Sequence, residues 1–439
     1  MRDKRGRRRR TVKKPNGALY FAGYILLYPF FKLFFQMEVD RSGYSPPEGP
    51  FLVLSNHRAY MDFILVMLAL YPHRLNAVTA QRFFFYRPLH RLLPFMGCIP
   101  KIQFAPDVRA VKGIMEVIKR GDKVLLFPEG RSTTDGAYMG ALKATGKFVK
   151  KLEVPVVSSR IEGAYTCTPF WRRGVRRGPV RVTLANLFDG EDARRLTVEE
   201  LNSRINARLS GADAKIPDKA IRLRRARRLA EGLDNVLYLC PACKREFTLE
   251  AKGNVIRCTA CDNAASMDRS SKLSPLAGSA VPETIHKWYR EQIEHELQSI
   301  HAQMEAMEIA AHVWMPAASG VGLEACGQGT LLLDAKGWRY EGELRGAAVS
   351  LDFPIETVPV VSFDLSNNLH MYANGNLYQF KLEHKPGLCA KYALIGECIY
   401  WRHSPFIQIT EGYFSGHASI DHMRRSSHGE KTLGVEHRA

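Results

Sequence analysis

FLVLSNHRAYMD, residues 51–62, opens as an unbroken apolar run and ends in a polar cluster with a histidine and, five positions later, an aspartate. A run such as Phe51–Ser55, without polar alternation, is the pattern of a strand buried on both faces of a helix-covered parallel sheet. VLLF (124–127) and VPVVSS (154–159) repeat it. Between the first two, Phe104 to Arg120 carries apolar residues at helical spacing and stops at Gly121, a helix terminator. Strands alternating with helices from about 50 to 185 predict an α/β domain whose site lies on the loops at the strand ends.

The polar cluster suggests the chemistry. A helix starting near His57 would bring Asp62 to within about 140° of it around the axis, at 100° per residue. A carboxylate on one imidazole nitrogen fixes the tautomer and stabilises the imidazolium, leaving the other nitrogen to deprotonate a substrate hydroxyl. Alone the pair is weak, because 14 histidines make a chance match expected and such pairs are usually structural hydrogen bonds. Two companions strengthen it. Phe127-Pro128-Glu129-Gly130-Arg131-Ser132 follows the second buried strand, with a glycine that permits close backbone approach and an arginine fork suited to phosphate. Gly97-Cys98-Ile99-Pro100-Lys101 adds a second small-residue turn bearing a cation.

Together these blocks resemble the glycerolipid acyltransferases of the 1-acylglycerol-3-phosphate (lysophosphatidic acid) acyltransferase type, over about residues 45–185. Asn56-His57-x4-Asp62 resembles the first block, Gly97–Lys101 the second, Phe127–Arg131 the third and Val154-Pro155-Val156 the fourth. The resemblance implies acyl transfer from an acyl-CoA or acyl-carrier-protein thioester to a lysophosphatidic acid hydroxyl, with His57 as base and Asp62 as its orienting partner. It also implies that Arg131 and Lys101 hold the acceptor phosphate, in a site shaped by Asn56, Glu129, Gly130 and Ser132. Two departures bear on the acceptor: Gln103 stands where the second block usually has arginine, and Arg131 follows Gly130 directly where the third usually has threonine first. Glycerol 3-phosphate or another lysolipid is the alternative acceptor, and an inactive lipid-binding scaffold the alternative of another class. Retention of His57, Asp62, Glu129 and Arg131 together argues against the scaffold.

With 439 residues, 46% hydrophobic and 24% charged, the chain is no disordered polymer and has length for several domains. Its net charge of +19 favours anionic partners. MRDKRGRRRRTVKK (1–14) directly precedes the aromatic, apolar Ala18–Phe35, so residues 1–40 read as a basic tail and membrane anchor. Pro29 and Lys32 leave this segment near the lower limit for a span, so an interfacial anchor, a single span and a core-packed helix all remain open. The expected location is the cytoplasmic face of the cell membrane. Nucleic acid is not expected as a partner, since the densest charge adjoins the lipid-facing segment and no RNA-binding signature occurs.

Beyond the acyltransferase domain (41–215), a basic stretch at 221–231 reads as a linker or surface helix. Cys240, Cys243, Cys258 and Cys261 form two CxxC knuckles 14 residues apart, which suits a structural zinc ribbon at 236–266 better than redox thiols. A long helix is expected over 282–312, with a seam of Ile293, Leu297, Ile300, Met304 and Met307 that could pack within the chain or form a homodimer. A β-rich domain at 318–412 follows, with hairpin turns at 335–337 and 373–376 and a closing helix over Cys389–Trp401; it weakly resembles pleckstrin-homology or GRAM-like domains. Residues 423–439 read as a disordered tail.

Overall fold

The computed structural model describes residues 11–210, 222–302 and 306–403. Seven strands form its first sheet: β1 (Glu38–Gly43), β2 (Leu52–Ser55), β3 (Leu75–Ala80), β4 (Ile99–Lys101), β5 (Lys123–Leu126), β6 (Val156–Glu162) and β7 (Arg181–Phe188). Their order is β1-β7-β6-β2-β5-β3-β4, and neighbours run parallel except β6 with β7. The helices of this part are α1 (Gly17–Phe34), α2 (Asp62–Ala69), α3 (Leu89–Phe95), α4 (Val108–Lys119), α5 (Ala144–Leu152), α6 (Ala164–Cys167), α7 (Gly190–Arg195) and α8 (Val198–Leu209).

The unalternating strands follow from helices on both faces. Leu52 and Leu54 join a core with Ile114 and Val117 of α4, Val149 of α5 and Ile205 of α8. Val53, pointing the other way, joins a core with Leu65 and Val66 of α2 and Phe31 of α1. Local signals set the helix starts. The Asp107 carboxylate accepts from the amides of Arg109 and Ala110 to open α4, and a reciprocal Thr197–Glu200 capping box opens α8. Gly121 stops α4 with φ of +83°. Leu54 pairs with Leu126, so the chain leaves β2 and β5 side by side, and both loops emerge at one sheet edge.

The cysteine module contains four antiparallel strands, β8 (Leu249–Lys252), β9 (Val255–Cys258), β10 (Ala264–Met267) and β11 (Leu273–Pro275). Helix α9 (Ile285–Ala302) leads into a second, antiparallel sheet. Its strands are β12 (Met307–Pro316), β13 (Leu323–Asp334), β14 (Gly337–Leu344), β15 (Ala347–Pro354), β16 (Ser362–Phe363), β17 (Asn368–Ala373) and β18 (Asn376–Leu382), ordered β15-β14-β13-β12-β18-β17-β16. Helix α10 (Leu388–His403) packs against this sheet. Both expected hairpins are present, turning at Ala335-Lys336 and at Asn374-Gly375.

Three expectations are corrected. The long helix does not reach residue 312: α9 ends at Ala302, and residues 307–311 begin β12, paired with both β13 and β18. The sheet therefore starts before residue 318, because Ile309, Ala311 and Val313 alternate inward as a strand. The seam is used within the chain, with Ile293, Leu297 and Ile300 buried in the core shared with α10; Met304 lies outside the described residues. Residues 222–231 are not helical. Arg225 and Arg228 have positive φ, and the amides of Arg224 and Ala230 bond to Arg177 and Gly253 instead of to a helical turn. The tail at 423–439 lies outside the described residues.

Candidate active site

Ser55 ends β2, and His57 sits in the loop before α2. The helix begins at Asp62 and not near His57, so the pair closes by a different route from the one its spacing suggested. The Asp62 Oδ2 atom accepts from the backbone N–H of Arg58 (2.5 Å) and Ala59 (2.7 Å), curling the loop into a turn around the carboxylate. The same oxygen lies 2.9 Å from His57 Nδ1. Asp62 is fully buried, whereas the imidazole is 22% exposed and stacks on Phe127 at 4.3 Å between centroids. A buried carboxylate at Nδ1 selects the tautomer with hydrogen on that nitrogen, and Nε2 is then the basic one.

The loop after β5 holds His57 through its backbone. Glu129 Oε1 accepts from the His57 amide at 2.6 Å, and the Thr133 amide donates to the His57 carbonyl at 3.0 Å. The other Glu129 oxygen accepts from the Met139 amide at 2.9 Å. Burial pushes the Glu129 carboxyl up to about 7, against the charge of Arg58 and the two amide donors. Glu129→Gln would turn one of these acceptors into an NH2 group facing an N–H. Activity is expected to fall about 100-fold through displacement of His57, with thermal midpoint and kcat measured side by side. Gly130, at φ +79°, lies where a Cβ would come within 2.9 Å of Phe104.

The other expected site residues have definite places. Asn56 is fully buried, and its amide bonds both ways to the Ile161 backbone, at 2.9 and 2.7 Å, bracing β2 to β6 instead of facing a ligand. Lys101 Nζ donates to the carbonyls of Ile102 and Ala105, at 3.0 and 3.3 Å, and burial lowers its pKa. Arg131 turns away toward α10, where its two Nη atoms pair with the Glu397 carboxylate at 2.5 and 2.8 Å. Ser132, partly exposed, lies between Arg131 and the buried Thr133. Gln103 donates to the Gly130 carbonyl and accepts from buried Arg82, each at 2.9 Å, so a guanidinium reaches this corner from another element.

Sequence reading missed Thr133, Asp135, His286, Arg82 and Glu397. His286 and Glu397 come from helices more than 150 positions downstream of the loop they touch, and no local pattern marks such a contact. The four cysteines were legible. Their sulfurs lie within 4.8 Å of one another, with Cys240–Cys261 at 3.7 Å and Cys243–Cys258 at 3.8 Å. A tetrahedron with zinc–sulfur bonds of about 2.3 Å sets its sulfurs about 3.8 Å apart, so this cluster fits such an ion.

The sequence model of the acyltransferase family matches residues 36–162, which contain β2, β5 and the loop that carries His57. A chloroplastic 1-acyl-sn-glycerol-3-phosphate acyltransferase of Brassica napus is 28% identical over 181 residues, covering 40% of this chain and 51% of that protein. A chloroplastic enzyme of the same name from Arabidopsis thaliana is 26% identical over 172 residues, covering 38% and 47%. The chain thus spans about half the length of these curated relatives. Among solved structures, the 1-acyl-sn-glycerophosphate acyltransferase of Thermotoga maritima is similar at 22% identity and a TM-score of 0.38, over 43% of this chain and 76% of that one.

Proposed function

We propose that this acyltransferase moves a fatty acyl group from a coenzyme A or carrier-protein thioester to the hydroxyl of a lysophosphatidic acid, giving phosphatidic acid. The observation that carries the reading is the His57–Asp62 pair at 2.9 Å, with the His57 backbone held on both sides by Glu129 and Thr133. Asp62 holds the Nδ1 proton, so Nε2 accepts the proton of the acceptor hydroxyl as its oxygen attacks the thioester carbonyl. The tetrahedral intermediate collapses by breaking the carbon–sulfur bond, and the imidazolium returns its proton to the departing thiolate. A thioester is already activated, so positioning and one proton transfer account for much of the acceleration.

The assay is transfer of a labelled acyl group from its thioester to lysophosphatidic acid, by the full chain on liposomes. Labelled phosphatidic acid is the expected product. Product only with glycerol 3-phosphate or another lysolipid would replace the acceptor, and no product with any of them would overturn the reading. The commitment of Arg131 to Glu397 and of Lys101 to carbonyls favours including those other acceptors.

Membrane association is interfacial in this reading. One face of α1 is tied to the domain: Tyr20 Oη accepts from the Leu75 amide, Tyr24 stacks on Tyr71 at 3.9 Å, and Phe31 is buried. The other face leaves Phe21, Ile25, Leu26 and Leu33 more than half exposed, and Phe95 of α3 lies exposed beside the helix start, under Lys13. A helix packed along one side and bare along the other suits a lipid surface, with the basic N-terminal residues at anionic headgroups. Leu26→Asp with Leu33→Asp is expected to lower binding to anionic vesicles by about 10-fold or more, measured by co-sedimentation. Unchanged binding would remove α1 from the lipid contact. Zinc is proposed for the four cysteines as a structural ion, because four sulfurs fill its coordination and leave no position for substrate.

A further inference from the structure

We propose that the reacting histidine is positioned from outside its own domain: His286, in the first turn of α9, is a positioning residue that holds the loop on which His57 depends. The inference rests on His57 being the base of the proposed reaction.

The path is continuous. His286 Nδ1 lies 2.7 Å from Oδ2 of Asp135, a carboxylate buried completely beneath the loop after β5. The other carboxylate oxygen accepts from Thr133 Oγ1 at 2.9 Å and from the Ala137 amide at 3.0 Å. Thr133 Oγ1 in turn accepts from the Gly136 amide at 3.0 Å, and the Thr133 amide donates to the His57 carbonyl. Arg58, next to His57, closes the ring by donating through Nη1 to the Gly136 carbonyl at 2.6 Å. Loop 133–137 is therefore wound around Asp135, and its only described side-chain support from beyond the acyltransferase domain at that carboxylate is His286. Burial by itself would raise the Asp135 pKa, but the hydrogen bond and charge of His286, with Ala137 and Thr133, hold it below the ordinary value.

His286 can serve as a fixed point because α9 is itself braced. Trp288 Nε1 donates to the Leu239 carbonyl at 2.9 Å, and Gln292 accepts from the Tyr238 amide at 2.8 Å while donating to the Val236 carbonyl at 3.1 Å. Those backbone groups immediately precede Cys240, so the cysteine module carries the helix. The same loop has a second outside anchor in the Arg131–Glu397 pair, and Lys391 of α10 pairs with Glu246 of the module. Two helices resting on one module thus reach the catalytic loop at Arg131 and at Asp135.

The test compares kcat and KM of the full chain, wild type, His286→Ala, His286→Asn and Glu397→Gln, on liposomes. His286→Ala is expected to lower kcat about 10-fold with KM for both substrates little changed. His286→Asn, whose amide nitrogen can take the place of Nδ1, is expected to recover most of the loss. Hydrogen exchange gives an arm that needs no turnover. Amides of 129–137 should exchange faster in His286→Ala while those of β2 and β5 keep wild-type protection. Wild-type kcat and loop exchange in His286→Ala would overturn the proposal. So would faster exchange throughout the domain with no rescue by asparagine, which marks a merely structural role. A kcat above wild type in Glu397→Gln would show the α10 contact to be a block and overturn its place as second anchor. If wild type turns over no acceptor, the proposed reaction falls, while the exchange arm still decides the positioning.

Discussion

His57→Ala is expected to abolish acyl transfer to within about 10³- to 10⁴-fold below wild type, while vesicle binding and thermal midpoint stay close to wild type. The imidazole is 22% exposed and, among the described residues, its side-chain hydrogen bond is to Asp62, so its removal empties little of the core. The backbone bonds from His57 to Glu129 and Thr133 do not depend on the side chain and persist in the variant. What disappears is the group proposed to take the hydroxyl proton during attack. Asp62 is left buried with two amide donors and cannot replace it, because its carboxylate points into the turn. The measurement is labelled phosphatidic acid formed per folded molecule. Turnover within tenfold of wild type would remove His57 from the proton transfer.

Removing metal from the four-cysteine cluster is expected to unfold the module and carry activity away with it. Structural zinc in small sites contributes on the order of 10–16 kcal/mol at neutral pH, as much as the whole stability of a typical domain, about 5–15 kcal/mol. The module is small, and its short strands β8–β11 have few residues to bury by themselves. Elemental analysis should give one zinc per chain. A strong chelator, or Cys258→Ser, should lower the thermal midpoint and cut kcat, since α9 and α10 both rest on this module. Full activity after complete metal removal would refute both the structural role and the dependence of the catalytic loop on the module.

How much of this could be read in advance differs by scale. The buried strands were plain in FLVLS, VLLF and VPVVSS, because helices on both faces remove polar alternation and leave an unmistakable run. The His57–Asp62 pair was also legible, but its cause was not. Helical periodicity was the wrong geometry, since backbone amides of residues 58 and 59 bend the chain to the carboxylate before α2 starts. The seam through Ile293 and Leu297 was visible as a pattern, yet a heptad pattern is silent on whether its partner is a second copy or the chain's own α10. Arg131 was the least readable. Its residue type suggested a phosphate fork, and only the folded chain shows a carboxylate already in that fork. Side-chain partners fixed by tertiary packing leave no periodic trace, and so Asp135 and His286 drew no notice either.

The distance along the chain between Arg131 and Glu397, 266 positions, also bears on how the protein is made. During synthesis, β1 to β7 leave the ribosome and can pair long before α10 exists. Helix α1, with its exposed apolar face, emerges earlier still. A nascent chain can therefore hold a completed first sheet whose loop after β5 still lacks Glu397 and His286. Contacts this far apart in sequence form late and slowly. Completion of the loop after β5 thus waits on translation of α9 and then of α10, and a chain halted between residues 210 and 285 carries that loop with neither distant contact.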